Sequence, residues 1–101
     1  MVVRLTFIKI SSGQEEKARK IYREEIIPVV KKQKGNIDVM LLHPFKEGEE
    51  HVSYTSWKRK EDAEAYHTSG TYKKLVDKMK DLFDSQPVLK SFTAEEESVH
   101  A

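Results

Sequence analysis

Three histidines, three tyrosines and one tryptophan stand where this sequence has chemistry to offer. His43 and His51 bracket a polar segment containing Lys46-Glu47-Gly48-Glu49, so a hairpin there sets the two imidazoles face to face. Paired histidines can bind a metal or act as acid and base near neutral pH. No third ligand stands beside them at metal-binding spacing, so no metal site is expected. Tyr66 and His67 adjoin in a helical stretch and point about 100° apart. His67 offers a general base, or a cation suited to a helix end. Tyr66, at apolar spacing, offers a core ring with its hydroxyl reaching out, and Tyr54 and Tyr72 suit core packing. Trp57 is either a packed ring beneath helices or a site residue. Thr6 and Arg4 alternate with Leu5 and Phe7, so they face either a pocket or a second sheet. There is no cysteine, which excludes a thiol nucleophile, a disulfide framework and a thiolate metal site. No glycine-rich phosphate loop, nucleophile elbow or zinc-binding histidine motif occurs.

The elements that must position these residues follow from periodicity. Val2 to Ile10 is rich in β-branched and aromatic residues. Val3, Leu5 and Phe7 alternate with Arg4 and Thr6, which predicts a strand whose buried face carries the apolar set. Ser11-Ser12-Gly13 breaks it, with Ser12 as N-cap and Glu15 completing a capping box. Ala18, Ile21, Tyr22, Ile26, Val29 and Val30 then form one helical face. Pro28 sits inside that helix and predicts a bend, and Gly35 predicts its C-cap. Ile37 to Leu42 is a strand apolar on both faces, and Val52 to Trp57 returns beside it. Lys60 to His67 and the run Tyr72, Leu75, Val76, Met79, Phe83 read as two helices separated by Ser69-Gly70. Val88 to Ala94 is the last strand.

The order strand, long helix, strand, strand, helix pair, strand specifies an α+β domain. It is the split βαβ arrangement of a ferredoxin-like fold, a four-stranded antiparallel sheet with helices on one face. The two-sided apolar strand predicts that a second sheet covers the other face, as in a homodimer. Residues 1–95 form this domain, and 96–101 are expected to fray as a C-terminal tail.

The chain has 101 residues, one domain's worth. Its 18 Lys plus Arg and 17 Asp plus Glu give a net charge of +1, without the basic excess that nucleic-acid binding requires. Lys31, Lys32 and Lys34 suit a helix C-terminus rather than a phosphate site. No stretch has the length of a signal-peptide core or a membrane span, so a cytoplasmic protein is expected.

Several segments together resemble the antibiotic biosynthesis monooxygenase family and its stress-responsive and haem-degrading relatives. They are Ile26-Ile27-Pro28 with Gly35 beyond it, and Ser56-Trp57-Lys58 followed by Glu61, Ala65 and Tyr66. The resemblance spans about Val3 to Thr93 and implies the dimeric α/β-barrel fold. For activity it implies cofactor-free oxidation of an aromatic, quinol or polyketide-like substrate by dioxygen. The site implied lies in a cleft between sheet and helices, with Trp57, His67 and His43 as catalytic candidates. Thr6, Ser53, Tyr66 and Tyr72 are the substrate-binding candidates. Trp57 matches the family's strand-final tryptophan, while Ser53 stands where some members carry an asparagine. Haem-degrading relatives use an axial histidine, an asparagine and a second tryptophan. Their positions fall here on Val76, Thr6 and Tyr66, and valine cannot ligate iron. The alternative is a non-catalytic dimeric module for small-ligand binding or stress response. An apolar cleft of about 300 Å³ with a buried polar group suits the enzyme. A cleft filled by Tyr66, Tyr72 and Met79 suits the module.

Overall fold

Alternation of side chains along the first strand decides what the helices cover. In the computed structural model, which describes residues 1–95, β1 (Val2–Ile8) lies inside a four-stranded antiparallel sheet of order β2-β3-β1-β4. The others are β2 (Asn36–Leu42), β3 (His51–Trp57) and β4 (Val88–Thr93). This is the ferredoxin-like α+β fold that the element order specifies. The tail expected over 96–101 lies outside the described residues.

The helices are α1 (Glu15–Ile21), α2 (Ile27–Lys31), α3 (Lys60–Thr68) and α4 (Thr71–Met79). A π-helical turn, Tyr22–Ile26, joins α1 to α2 without a break. Pro28 has no N–H to give to the turn behind it. The bend expected there is a register change just upstream, where the Ile27 N–H reaches back to the Tyr22 carbonyl. Ala18, Tyr22, Ile26 and Val30 are thereby buried in one line. At the start of α1 the expected Ser12 cap does not form. Gln14 is the N-cap and gives no side-chain bond. Ser11 Oγ instead donates to Asp84 at 2.6 Å, and the Glu15 carboxylate accepts the Gly13 N–H at 3.0 Å. The glutamate half of the capping box survives, one residue displaced.

The buried face of β1 is the opposite of the one its apolar residues suggest. Arg4, Thr6 and Ile8 are buried beneath the helices, while Val3, Leu5 and Phe7 are only partly covered. Strand register extends both faces across the sheet. Met40, Tyr54, Leu5 and Lys90 form one row of the open face, and Leu42, Val52, Phe7 and Val88 form the next. Beneath the helices the rows are Val39, Thr55, Arg4, Ser91 and Leu41, Ser53, Thr6, Leu89. Met40, Leu42, Val88 and Phe92 are each at least 40% exposed. The open face is thus the more apolar one.

Gly35 closes the link from α2 to β2 at φ +80°, and its carbonyl accepts the Lys58 N–H at 2.8 Å. A β-carbon there would collide with the buried carboxylate of Asp62 on α3. Gly35→Ala should therefore lower unfolding stability by about 1–3 kcal/mol, from backbone strain and this collision together. Urea denaturation checks this, and Asp62→Ala in the same chain should restore part of the loss.

Candidate functional site

Thr6 on β1 and Ser53 on β3 are register partners, so their hydroxyls lie side by side at mid-sheet beneath the helices. Tyr22 of the π turn, Tyr66 of α3 and Tyr72 of α4 close over them. With Ile8, Ile26, Leu75, Val76 and Met79 they bound an apolar cleft. Its free volume is about 40 Å³, room for about two or three waters and not for an aromatic ring. Tyr72 and Met79 fill the remainder.

The hydroxyls are not equivalent. The Tyr22 hydroxyl donates to the Met40 carbonyl at 3.2 Å, so it accepts from Ser53 Oγ at 2.7 Å. Burial pushes the Tyr22 pKa up to about 12, against the opposing effect of the Ser53 bond. Burial also raises the Tyr66 pKa, with Arg4 opposing. Both phenols are therefore O–H donors at neutral pH. Tyr66 makes no side-chain hydrogen bond among the described residues, which leaves its donor free. Tyr72 meets Thr6 Oγ1 at 3.4 Å, a long contact.

Behind Tyr66 and Tyr72 lies Arg4, 6% exposed. Nη1 donates to the Ala63 carbonyl at 3.2 Å, and Nη2 lies 2.8 Å from His67 Nδ1. The arginine can only donate, so Nδ1 accepts and the His67 ring is neutral with its proton on Nε2. The guanidinium carbon is 5.7 Å from the Tyr66 ring centre and 5.1 Å from that of Tyr72. His67 stacks on Tyr72, centroids 5.0 Å apart. No carboxylate pairs with Arg4 among the described residues. Burial lowers the guanidinium pKa from its ordinary value, with Tyr72 and Tyr66 opposing. The group stays charged at any working pH.

Thr6, Ser53, Tyr66 and Tyr72 thus meet in one cleft, with His67 at its edge. Trp57 does not line it. The indole is fully buried, donates to Thr55 Oγ1 at 2.9 Å and stacks under Tyr66 with centroids 5.0 Å apart. His43 is elsewhere, over the far end of β2, its ring centre 5.5 Å from that of His51. Sequence reasoning missed Tyr22 as part of the site, since it reads as one more apolar helix position. It left Arg4 facing either a pocket or a second sheet, and the structure turns it inward beneath the helices. The available signal was register, since Arg4 stands one step of the same strand face from Thr6.

His51 is only 2% exposed. Its Nε2 accepts from Arg19 Nε and Nη2 at 3.3 and 3.2 Å, and its Nδ1 has no partner. No group of three or more metal-ligating side chains occurs among the described residues.

Comparison with known proteins agrees with this architecture. The family model described as antibiotic biosynthesis monooxygenase matches residues 1–78. No curated protein matches. Among solved structures, a Nitrosomonas europaea protein provisionally described as an antibiotic biosynthesis monooxygenase is similar at TM-score 0.79 and 17% identity. The match covers 93% of this chain and 98% of that one. A Streptomyces coelicolor monooxygenase in complex with nanaomycin D gives TM-score 0.80 at 12% identity, covering 99% of this chain and 92% of that one. A mutant of MhuD with two manganese protoporphyrin IX molecules per active site gives 0.77 at 17%, covering 97% and 98%. A porphyrin does not fit the residues present here. Val76 stands on the cleft wall without a donor atom, and no histidine lines the cleft among the described residues.

The histidine pair makes stability pH-dependent. The His51 pKa is lowered by burial, then by Arg19 and His43, with Glu15 opposing; that of His43 is lowered by burial and then Arg19. A depressed folded-state pKa means the unfolded chain binds protons first on acidification. The stabilising effect is complete above the ordinary imidazole value of 6.5 and is lost as pH falls through the lower folded-state value. Thermal melts across pH 8 to 4 should show this decline in wild type, and His51→Gln should flatten it.

Proposed function

Because the chain belongs to the antibiotic biosynthesis monooxygenase family, we propose that it oxidises a small aromatic, quinol or polyketide-like substrate with dioxygen, without a resident cofactor. The observation that carries this reading is the cleft itself. It places Thr6, Ser53, Tyr66 and Tyr72 around one apolar space, with a neutral imidazole at its edge. Residues 1–95 are the working unit, in a cytoplasmic setting. No helix among the described residues is long and apolar enough to cross a membrane.

The chemistry needs the side chains that narrow the cleft to move aside for a ring, and starts with a phenol near His67. His67 Nδ1 takes the phenolic proton, and the electron pair moves through the ring to a nucleophilic carbon. That carbon reduces dioxygen and bonds to it, giving a peroxide anion, which is then protonated. The same carbon loses a second proton as the O–O bond breaks. It becomes a carbonyl, and the other oxygen leaves as water. One phenolic O–H, one C–H and one O2 thus give two C=O and one H2O. Charge develops on the distal peroxide oxygen, where the free Tyr66 O–H is a donor within a water-poor cleft. Ser53, whose proton goes to Tyr22, presents a lone pair to a substrate hydroxyl. Trp57 holds the Tyr66 ring in place from beneath.

The test is oxygen uptake by the purified protein with a panel of dihydroxy-aromatic and anthrone-like substrates. His67→Gln should lower kcat by about 10²–10⁴, the usual worth of a general base. Tyr66→Phe should lower it by about 10-fold or more. Full uptake in both variants would remove these roles. The filled cleft is a specific observation in favour of the second reading, a non-catalytic dimeric binding or stress-response module. Saturable ligand binding without oxygen uptake across the panel is its expected signature.

The apolar open face supports a homodimer packed sheet to sheet. Sedimentation at micromolar concentration should give a dimer. Phe7→Glu combined with Leu42→Glu should give a folded monomer by circular dichroism, since each places a charge within the proposed interface.

A further inference from the structure

We infer that the ligand binds as an aromatic anion whose charged oxygen pairs with the Arg4 guanidinium, in the place now occupied by the Tyr72 ring. This deepens the proposed function and rests on the same cleft. Three observations support it.

The first is that, among the described residues, Arg4 is a charge without a counter-ion. A buried guanidinium ordinarily faces a carboxylate, because desolvation of an ion costs several kcal/mol. Here its partners are one carbonyl, one neutral imidazole and two aromatic faces. Each is electron-rich and none is charged. An incoming anion supplies the missing partner, and an arginine engages an anionic oxygen through N–H donors in a planar fork.

The second is the way Tyr72 is seated. It is an aromatic ring carrying an oxygen, lying 5.1 Å from the guanidinium carbon and stacked on His67 at 25°. Its hydroxyl is at Thr6. A flat ring in that place would lie against the same Arg4 and His67, with its oxygen turned to the guanidinium rather than to Thr6. Tyr72 is only partly buried, and its hydroxyl makes just the 3.4 Å contact; stacking on His67, an edge contact with Tyr66 and the Arg4 contact hold the ring, and a ligand ring can take over each of them. Gly70, at φ +89°, begins α4 just before it. The ring is therefore a plug that a ligand of the same shape can displace.

The third is the hydrogen-bond inventory. Arg4 Nη2 and His67 Nδ1 face each other at 2.8 Å. A phenol entering between them donates its proton to Nδ1 and leaves its oxygen, now anionic, on Nη2. No atom is gained or lost, and the proton has moved from ligand oxygen to imidazole nitrogen. Tyr66, its pKa raised by burial, stays protonated there, whereas an intrinsically more acidic phenol need not.

The experiment uses 4-nitrophenol, whose ionised form has its own absorbance. Wild type should bind the anion and lower the ligand's apparent pKa. Nitrobenzene, the neutral counterpart, should bind about 10-fold more weakly or worse. Arg4→Met should lose the anion preference while retaining binding of nitrobenzene, and Arg4→Lys should restore part of it. The melting temperature of Arg4→Met should be no lower than that of wild type, since a desolvated charge has been removed. Tyr72→Ala should bind 4-nitrophenolate more tightly. 4-Nitrobenzoate, a second anion, separates recognition of charge from recognition of a phenolate: equal binding assigns Arg4 to carboxylates as well.

Equal affinity of wild type for nitrobenzene and 4-nitrophenolate overturns the inference and leaves the cleft as an aromatic site. An unchanged anion preference in Arg4→Met, with a lowered melting temperature, also overturns it by making Arg4 structural. Should neither probe bind wild type or Tyr72→Ala, the cleft reading fails and this inference with it.

Discussion

The buried guanidinium of Arg4 is the constraint to which the helix side of this sheet is fitted. A cation beneath helices must be either paired or surrounded by electron-rich groups, and this chain takes the second course. The Ala63 carbonyl comes from α3, the imidazole from the end of the same helix, and the two phenol rings from α3 and α4. Bonds to a charged group contribute about 1.5–3 kcal/mol each and cation–π contacts about 0.5–2. Together they are comparable with the desolvation cost, so the cage is close to neutral for stability while it brings groups of α3 and α4 to one guanidinium. Trp57 belongs to the same arrangement: it stacks on Tyr66 and so holds one ring of the cage against the other.

Much of this fold is legible in the sequence, because each element carries its own period. The two-residue alternation of the strands, the long apolar face from Ala18 to Val30, and the breaks at Gly13, Gly35 and Gly70 give the element order. That order admits few topologies. Failures occur where local signals compete. Ser12 and Glu15 have the spacing of a capping box, yet Ser11 bonds Asp84 and the helix begins at Glu15. Pro28 signals a disturbance, but not that it takes the form of a π turn upstream.

The candidate site was legible as a set of residue types and only partly as a place. Thr6, Ser53, Tyr66 and Tyr72 share a cleft because register and helix spacing put them there. His43 and Trp57 have suitable chemistry, but the tryptophan N–H is taken by Thr55 and the histidine lies over the other end of the sheet. For Arg4 the sequence left a pocket or a second sheet open, and an arginine in a strand is ordinarily solvated. Nothing local marks the exception. Only the pairing of β1 with β3, together with α3 and α4 crossing above, converts that position into an interior one.

The misjudged face of β1 is itself informative about assembly. In a half-buried strand the apolar face is inward, yet here the inward face carries Arg4 and Thr6 while Val3, Leu5 and Phe7 look outward. The rows that continue them include Met40, Leu42, Val52 and Val88. A monomer gains nothing from presenting its more apolar sheet face to water. The inversion is economical if that face is a second hydrophobic core, completed by another copy. The helix side carries both the core and the site, a narrow apolar cleft with a few hydroxyls set into it. A chain of this size buries a modest share of its surface, so a further apolar contact on the open face would let the cleft keep contacts as weak as that between Tyr72 and Thr6.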